Sequence, residues 1–387
     1  MIYMPLLEET GHMPTEKYAH APEILEHCQR IANHFGLYDN ACLSTEVTSV
    51  EWIDADSRWL IRTNRGDAMK AKFVAMGTGP LHRPKLPGIP GIETFEGHSF
   101  HTSRWDYAYT GGNPAGGPHD KLADKRVGII GTGATAVQCV PHLARSCGEL
   151  FVFQRTPSSI DIRNNRPIDA EWFATLEPGW QAEWLLNFTT LQTGGFADAD
   201  LVMDGWTDLA QRIRDKAIEN GDFTPEGLEK AYHDSDDEKM HEIRARVDAV
   251  VGDDATADAL KPWYRQLCKR PCFHDQYLDA YNTPTVQLID TDGCGVEHID
   301  ATGTGEVEVT ADAEDAWVKR LLAGGRRFGN DPDCTPGYYN NEGKFTDDAG
   351  IANFIGFPEG PVAYFDYIEQ WRQVGRQAGS FKGLEFR

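Results

Sequence analysis

Lys125, Arg126, Val127, Gly128, Ile129 and Ile130 run directly into Gly131, Thr132, Gly133, Ala134, Thr135 and Ala136, and the reading of this stretch decides the fold. The first half turns apolar and β-branched where a buried parallel strand should end. Gly131 then permits a tight turn, Gly133 lets the backbone approach a pyrophosphate, and Ala136 in the third position allows close helix packing. The following segment places Val137, Val140 and Leu143 on one helical face, with free N-terminal amides directed at the phosphates and Gln138 on the same first turns. Strand, glycine turn and helix together predict a dinucleotide-binding unit. A Gly-x-Gly-x-x-Gly match alone is weak, and an incidental glycine-rich turn is the competing reading.

A second strand is expected at Leu150, Phe151, Val152 and Phe153, leading into Gln154, Arg155 and Thr156. A carboxylate at its end would accept hydrogen bonds from the 2′-hydroxyl of NAD, but the position carries Arg155, whose guanidinium suits the 2′-phosphate of NADP. The plainer alternative makes Arg155 a solvated residue at a strand end.

The chain has 387 residues, enough for two or three domains with substantial cores. Its formal net charge of −23 opposes nonspecific binding to nucleic acid or to an anionic membrane surface. No apolar run approaches the ~20 residues that span a bilayer, and the N-terminal stretch lacks a basic leader and meets Glu8 and Glu9. A cytoplasmic enzyme acting on a small molecule is the expectation; oligomeric state is not readable. Cys268 and Cys272 are the closest of eight cysteines, without a second pair to complete a metal site. Free thiols and no metal are expected.

Along the chain, Pro22 to Phe35 predicts a helix with an apolar stripe of Ile24, Leu25, Cys28, Ile31, Ala32 and Phe35. Val47 to Ile53, Trp59 to Thr63 and Met69 to Val74 predict three strands, followed by a Pro- and Gly-rich linker from Pro84 to Gly91. Asp169 to about Trp263 reads as amphipathic helices inserted into the nucleotide domain. Its acidic run Asp234, Asp236, Asp237 and Glu238 reads as a solvated cap or loop. Val286 to Ile289 predicts another strand, Ala313 to Leu322 a helix, and the tail is aromatic. The resulting domains are 1–90, 91–290 with the insertion at about 169–263, and 291–387.

The spaced residues Phe95, Gly97, His101, Trp105 and Asp106 match a signature, and on them the chain resembles the Baeyer–Villiger monooxygenases, a family of flavoproteins. Related N-hydroxylating and sulfur-oxidising flavin monooxygenases usually lack the Trp and the final Asp or Pro. By the resemblance, His101 couples two domains rather than performing chemistry, and a satisfied structural histidine is the favoured reading. Gly131 to Ala136 is similar to the family's NADP fingerprint, Arg155 and Thr156 to its phosphate-binding pair, and Lys269, Arg270 and Pro271 to its Lys-Arg-Pro segment. Asp333 to Asn341 is family-like as well. The resemblance implies that Lys269 contacts NADP and that Arg270 is the active-site arginine. Without it, an adjacent Lys and Arg would as readily be exposed surface residues.

The resemblance further implies an α/β fold. A Rossmann-like NADP-binding domain with a helical insertion would accompany an FAD-binding domain, as in flavoproteins with two dinucleotide-binding domains. It implies that NADPH reduces FAD, the reduced flavin captures O2 as a peroxide, and the peroxide attacks a ketone to yield an ester or lactone. Arg270 would stabilise the negative charge. Two departures qualify this. No fingerprint precedes Gly131, and after Asp300 the chain passes through Ala301, Thr302 and Gly303 to Val307 without the family's apolar strand. Both suggest an incomplete FAD-binding domain, with exposed sheet edges and apolar surface. The remaining alternatives are an N-hydroxylating or sulfur-oxidising monooxygenase and a non-catalytic NADP-binding fragment.

Overall fold

The computed structural model describes residues 3–79, 84 and 86–302. The helix expected at Ala313 to Leu322 and the aromatic tail with Asp333 to Asn341 lie outside the described residues. In chain order the helices are α1 (Leu7–Thr10), α2 (Ala21–His34), α3 (Tyr107–Thr110), α4 (Ala134–Ala144), α5 (Ala170–Phe173), α6 (Trp180–Gln192), α7 (Gly205–Asn220), α8 (Pro225–Val250) and α9 (Asp254–Leu260). The strands are β1 (Val47–Ile53), β2 (Arg58–Thr63), β3 (Ala68–Ala71), β4 (Arg126–Ile130), β5 (Glu149–Gln154), β6 (Ile160–Asp161), β7 (Cys272–Phe273) and β8 (Val286–Asp290). The described residues divide into two units, one of residues 3–19, 89–98 and 106–302, the other of residues 20–79, 84, 86–88 and 99–105.

In the larger unit, β4, β5 and β8 form a parallel sheet in that order, with Ile129 opposite Val152 and Val152 opposite Leu288. Parallel neighbours need a crossover. Helix α4 supplies the first, burying Val137, Val140 and Leu143 as its periodicity demands. The second crossover contains helices α5 to α9, so the expected helical insertion is present. Among the described residues β4 pairs on one side only, and Ile130 is 45% exposed, so β4 is an edge strand there rather than the buried strand expected.

The insertion has its own anchors. Trp180 packs with Met4 and Leu7 from the N-terminal segment, and Phe173 and Trp184 close over them. Asp204 caps α7 through a reciprocal capping box with Thr207. The acidic run Asp234 to Glu238 is the middle of α8, not a solvated cap or loop; Asp236 is buried because partners near residue 266 satisfy its carboxylate. Gly205, at the first position of α7, lies under the Phe273 ring, where a Cβ would approach ring carbon to 2.0 Å. Gly205→Ala should therefore cost about 1–3 kcal/mol by overpacking. Thermal denaturation would register this as a lowered Tm.

The smaller unit holds α2 and the antiparallel meander β1–β2–β3, with Trp52 opposite Trp59. Its third strand ends at Ala71 rather than Val74. The expected apolar stripe of α2 is not buried: Ile24 and Leu25 are exposed and His27 is the helix's buried residue. Leu43, Phe73 and Met76 are exposed as well. No helix among the described residues is long and apolar enough to cross a membrane.

Candidate functional site

The site begins at the turn between β4 and α4. Gly131 has φ +101°, in the region that disfavours side chains, and its amide donates to the Phe153 carbonyl at 2.9 Å. Gly133 opens α4 without a side-chain cap, and a Cβ on either glycine would meet nothing within 4 Å. The first-turn amides of Ala134, Thr135 and Ala136 have no i−4 partner inside the helix, and Thr135 is exposed beside them. Such a terminus carries partial positive charge and suits a phosphate. Gln138 Nε2 donates to the Ala134 carbonyl at 3.0 Å.

Two hydroxyls fix the turn to the segment after β5. Thr132 Oγ1 donates to the Thr156 carbonyl at 2.8 Å, and Ser158 Oγ donates to the Thr132 carbonyl at 2.5 Å. Lys269 Nζ donates to Thr156 Oγ1, lies 4.8 Å from the Tyr264 ring centroid, and is close enough to Arg155 to be repelled by it. Burial, with the Arg155 guanidinium beside it, lowers the Lys269 ammonium to about 8. Its hydrogen-bond partner is a hydroxyl rather than a carboxylate, so an anion placed there would relieve the repulsion. Gly295, at φ +88°, lies against the Arg155 stem. Thus the structure brings Gly131 to Ala136, Arg155, Thr156 and Lys269 to one place.

Lys269 has extended backbone, so the next side chain projects to the opposite face. Lys269 turns inward to Thr156, while Arg270 is exposed. Burial pushes the Cys272 thiol up to about 11, which keeps it protonated and unreactive near neutrality. Cys268 corrects the expectation of free thiols: it is disulfide-bonded, whereas Cys28, Cys42, Cys139, Cys147, Cys272 and Cys294 are free. No group of His, Cys, Asp and Glu among the described residues could hold a metal ion.

The signature residues make local contacts. Phe95 and Gly97 are a packing pair, because a Cβ at 97 would come within 2.2 Å of the Phe95 ring. His101 Nδ1 accepts from the Ser103 amide at 3.1 Å and caps a short turn. Trp105 packs edge-on against Phe100. Asp106 caps α3 through the Tyr109 amide and holds His98 Nε2 at 2.9 Å; the amide bond first, then His98, keeps its carboxyl below the usual range. His98 also stacks on Tyr109 at 3.9 Å.

The sequence reading missed Tyr264, Ser158 and Asp236. Tyr264 donates its hydroxyl to the Pro157 carbonyl at 2.7 Å and supplies the ring beneath Lys269. Its position five residues before Lys269 was the available signal. Its contact with Pro157 joins segments far apart in the chain.

Residues 10–167 match the family model for flavin-binding monooxygenase-like proteins. FAD-binding monooxygenase hmp7 of Hypomyces subiculosus is 36% identical, with 99% of this chain and 79% of that protein covered. The chain belongs to the flavin-binding monooxygenase-like family. Neopentalenolactone D synthase of Streptomyces avermitilis is 58% identical over 302 residues, covering 78% of this chain and 51% of the relative. The polycyclic ketone monooxygenase of Thermothelomyces thermophila has the same fold, with a TM-score of 0.70, 40% identity, and coverage of 80% of this chain and 51% of that one. The chain spans about half the length of several curated relatives it matches. Its alignment with hmp7 runs over 484 positions against 387 residues in the chain, so that relative carries residues within the matched span that this chain lacks.

Proposed function

We propose that this chain binds NADPH and serves an FAD-dependent oxygenation that inserts one oxygen atom of O2 next to a ketone carbonyl, giving an ester or lactone. The observation that carries the nucleotide part is the convergence of the Gly131–Gly133 turn with Arg155, Thr156 and Lys269. The open space over both glycines fits a pyrophosphate, and the two cations beside a hydroxyl fit a 2′-phosphate. FAD would supply the oxygen chemistry when bound. Among the described residues there is no second strand, glycine turn and helix to cradle another pyrophosphate.

Arg270 is the arginine proposed to face the ketone. A guanidinium offers a planar set of hydrogen-bond donors, which suits an oxygen that becomes negative during reaction. Its placement back to back with Lys269 lets one short segment hold nucleotide on one side and substrate on the other.

The test supplies FAD, NADPH and O2 with a cyclic ketone, and with a thioether in parallel. Lactone formation coupled to NADPH oxidation is expected. Oxidation of the thioether alone would favour a sulfur-oxidising enzyme, and NADPH binding without substrate-dependent oxidation would leave a nucleotide-binding protein.

A pH effect follows from Lys269. Phosphate contact favours the charged ammonium, so NADPH should bind tightest below pH about 8 and progressively more weakly as the pH rises above it. Titrations from pH 7 to pH 10 should show this loss, which Lys269→Met should flatten.

A further inference from the structure

Helix α8 carries Asp236, Lys239, Ile243 and Arg246 at three- and four-residue intervals, which puts them on one face. That face grips both ends of the segment bearing Lys269 and Arg270. At the far end, Arg246 donates from Nη1 to the Ile160 carbonyl at 2.9 Å and from Nη2 to the His274 carbonyl at 3.0 Å. Lys239 pairs with Asp161 at 2.5 Å in β6, which is hydrogen-bonded to β7 immediately beyond Arg270 and Pro271. At the near end Asp236, only 1% exposed, accepts the Gln266 amide at 2.9 Å, with Arg265 Nη1 at 3.4 Å from its other oxygen.

A carboxylate inside a helix is a poor helix former, and its burial is costly unless its lone pairs are used. Here they are used on residues 265 and 266. Gln266 opens the short turn Gln266–Cys268, closed by the Cys268 amide on the Arg265 carbonyl at 3.0 Å. The next residue is Lys269, whose ammonium lands on Thr156. Only Leu267 and Cys268 therefore separate the Asp236 contact at Gln266 from the proposed phosphate contact at Lys269.

We infer that Asp236 is a positioning residue for the nucleotide site: by holding the Gln266 amide it fixes the turn that delivers Lys269 to Thr156, and so contributes to selection of NADP over NAD without touching either. The inference rests on the NADP reading above. Displacing a positioned charge by about 1 Å can cost on the order of 10²-fold.

The experiment measures NADP⁺ and NAD⁺ affinities calorimetrically for the unaltered protein, Asp236→Ala and Asp236→Asn. Asp236→Ala should lose roughly tenfold in NADP⁺ affinity, the value of one charge-assisted contact, while NAD⁺ changes less than about threefold. Asp236→Asn keeps an acceptor for the Gln266 amide and should retain most of the preference. A folded Asp236→Ala protein with unchanged preference, or with equal losses for both nucleotides, overturns the inference. Should that variant fail to fold, hydrogen exchange of the unaltered protein decides. NADP⁺ but not NAD⁺ should slow exchange of the Gln266 amide, and an identical response to both contradicts the assignment. Absence of any NADP⁺ preference in the unaltered protein would instead defeat the underlying NADP reading.

Discussion

Arg270→Ala should lower ketone oxygenation, measured with FAD supplied, by about 10²- to 10³-fold while leaving NADPH affinity within about threefold. The separation follows from the backbone: Lys269 is extended, so its side chain and that of Arg270 leave opposite faces of the segment. Removing the outward guanidinium leaves the contact of Lys269 with Thr156 and its Tyr264 platform in place. Arg270→Lys should recover only part of the lost rate, because an ammonium lacks the planar pair of donors. A loss of NADPH binding as large as the loss of rate would put Arg270 in the nucleotide site instead.

Arg155→Ala should weaken NADPH binding by about 10- to 100-fold, the ~1.5–3 kcal/mol of a hydrogen bond to a charged group, and NADH binding by less than about threefold. The same change relieves the repulsion that helps lower Lys269, so its ammonium should titrate above about 8 in the variant. The pH at which NADPH affinity begins to fall should shift upward with it. Thus one substitution moves two independent readouts, an affinity ratio and a pH profile. Equal losses for the two nucleotides would contradict the phosphate assignment.

The parts of this architecture written in short-range pattern were legible beforehand. The β-branched run of β4, the positive-φ glycine at 131 and the 3.6-residue spacing of Val137, Val140 and Leu143 each specify local geometry, and together they specify a βαβ unit. Strand β8 was readable for the same reason. The Asp234 to Glu238 run misled because composition suggests solvent, whereas Asp236 is buried by a contact with residue 266 that no local rule contains. The stripe on α2 misled in the opposite direction: amphipathic spacing marks a face able to be buried, and Ile24 and Leu25 remain exposed among the described residues.

At the site, Arg155 and Lys269 were readable as residues, but their mutual repulsion and the Tyr264 ring were not. Those depend on the insertion of α5 to α9 returning the chain to the end of β5. The signature run divides similarly. The Phe95 and Gly97 spacing is explained by a ring lying on a glycine, and Asp106 by the cap it forms on α3. These are packing and capping roles, visible only once the neighbours are in place.

The central claim is that Gly131 to Gly133, Arg155, Thr156 and Lys269 form one site for a nicotinamide dinucleotide bearing a 2′-phosphate. Its most direct test is a pair of equilibrium titrations of the unaltered chain, one with NADPH and one with NADH, at pH 7. The account predicts at least roughly tenfold tighter binding of NADPH, as expected of a charge-assisted phosphate contact. Equal affinities for the two nucleotides would contradict it.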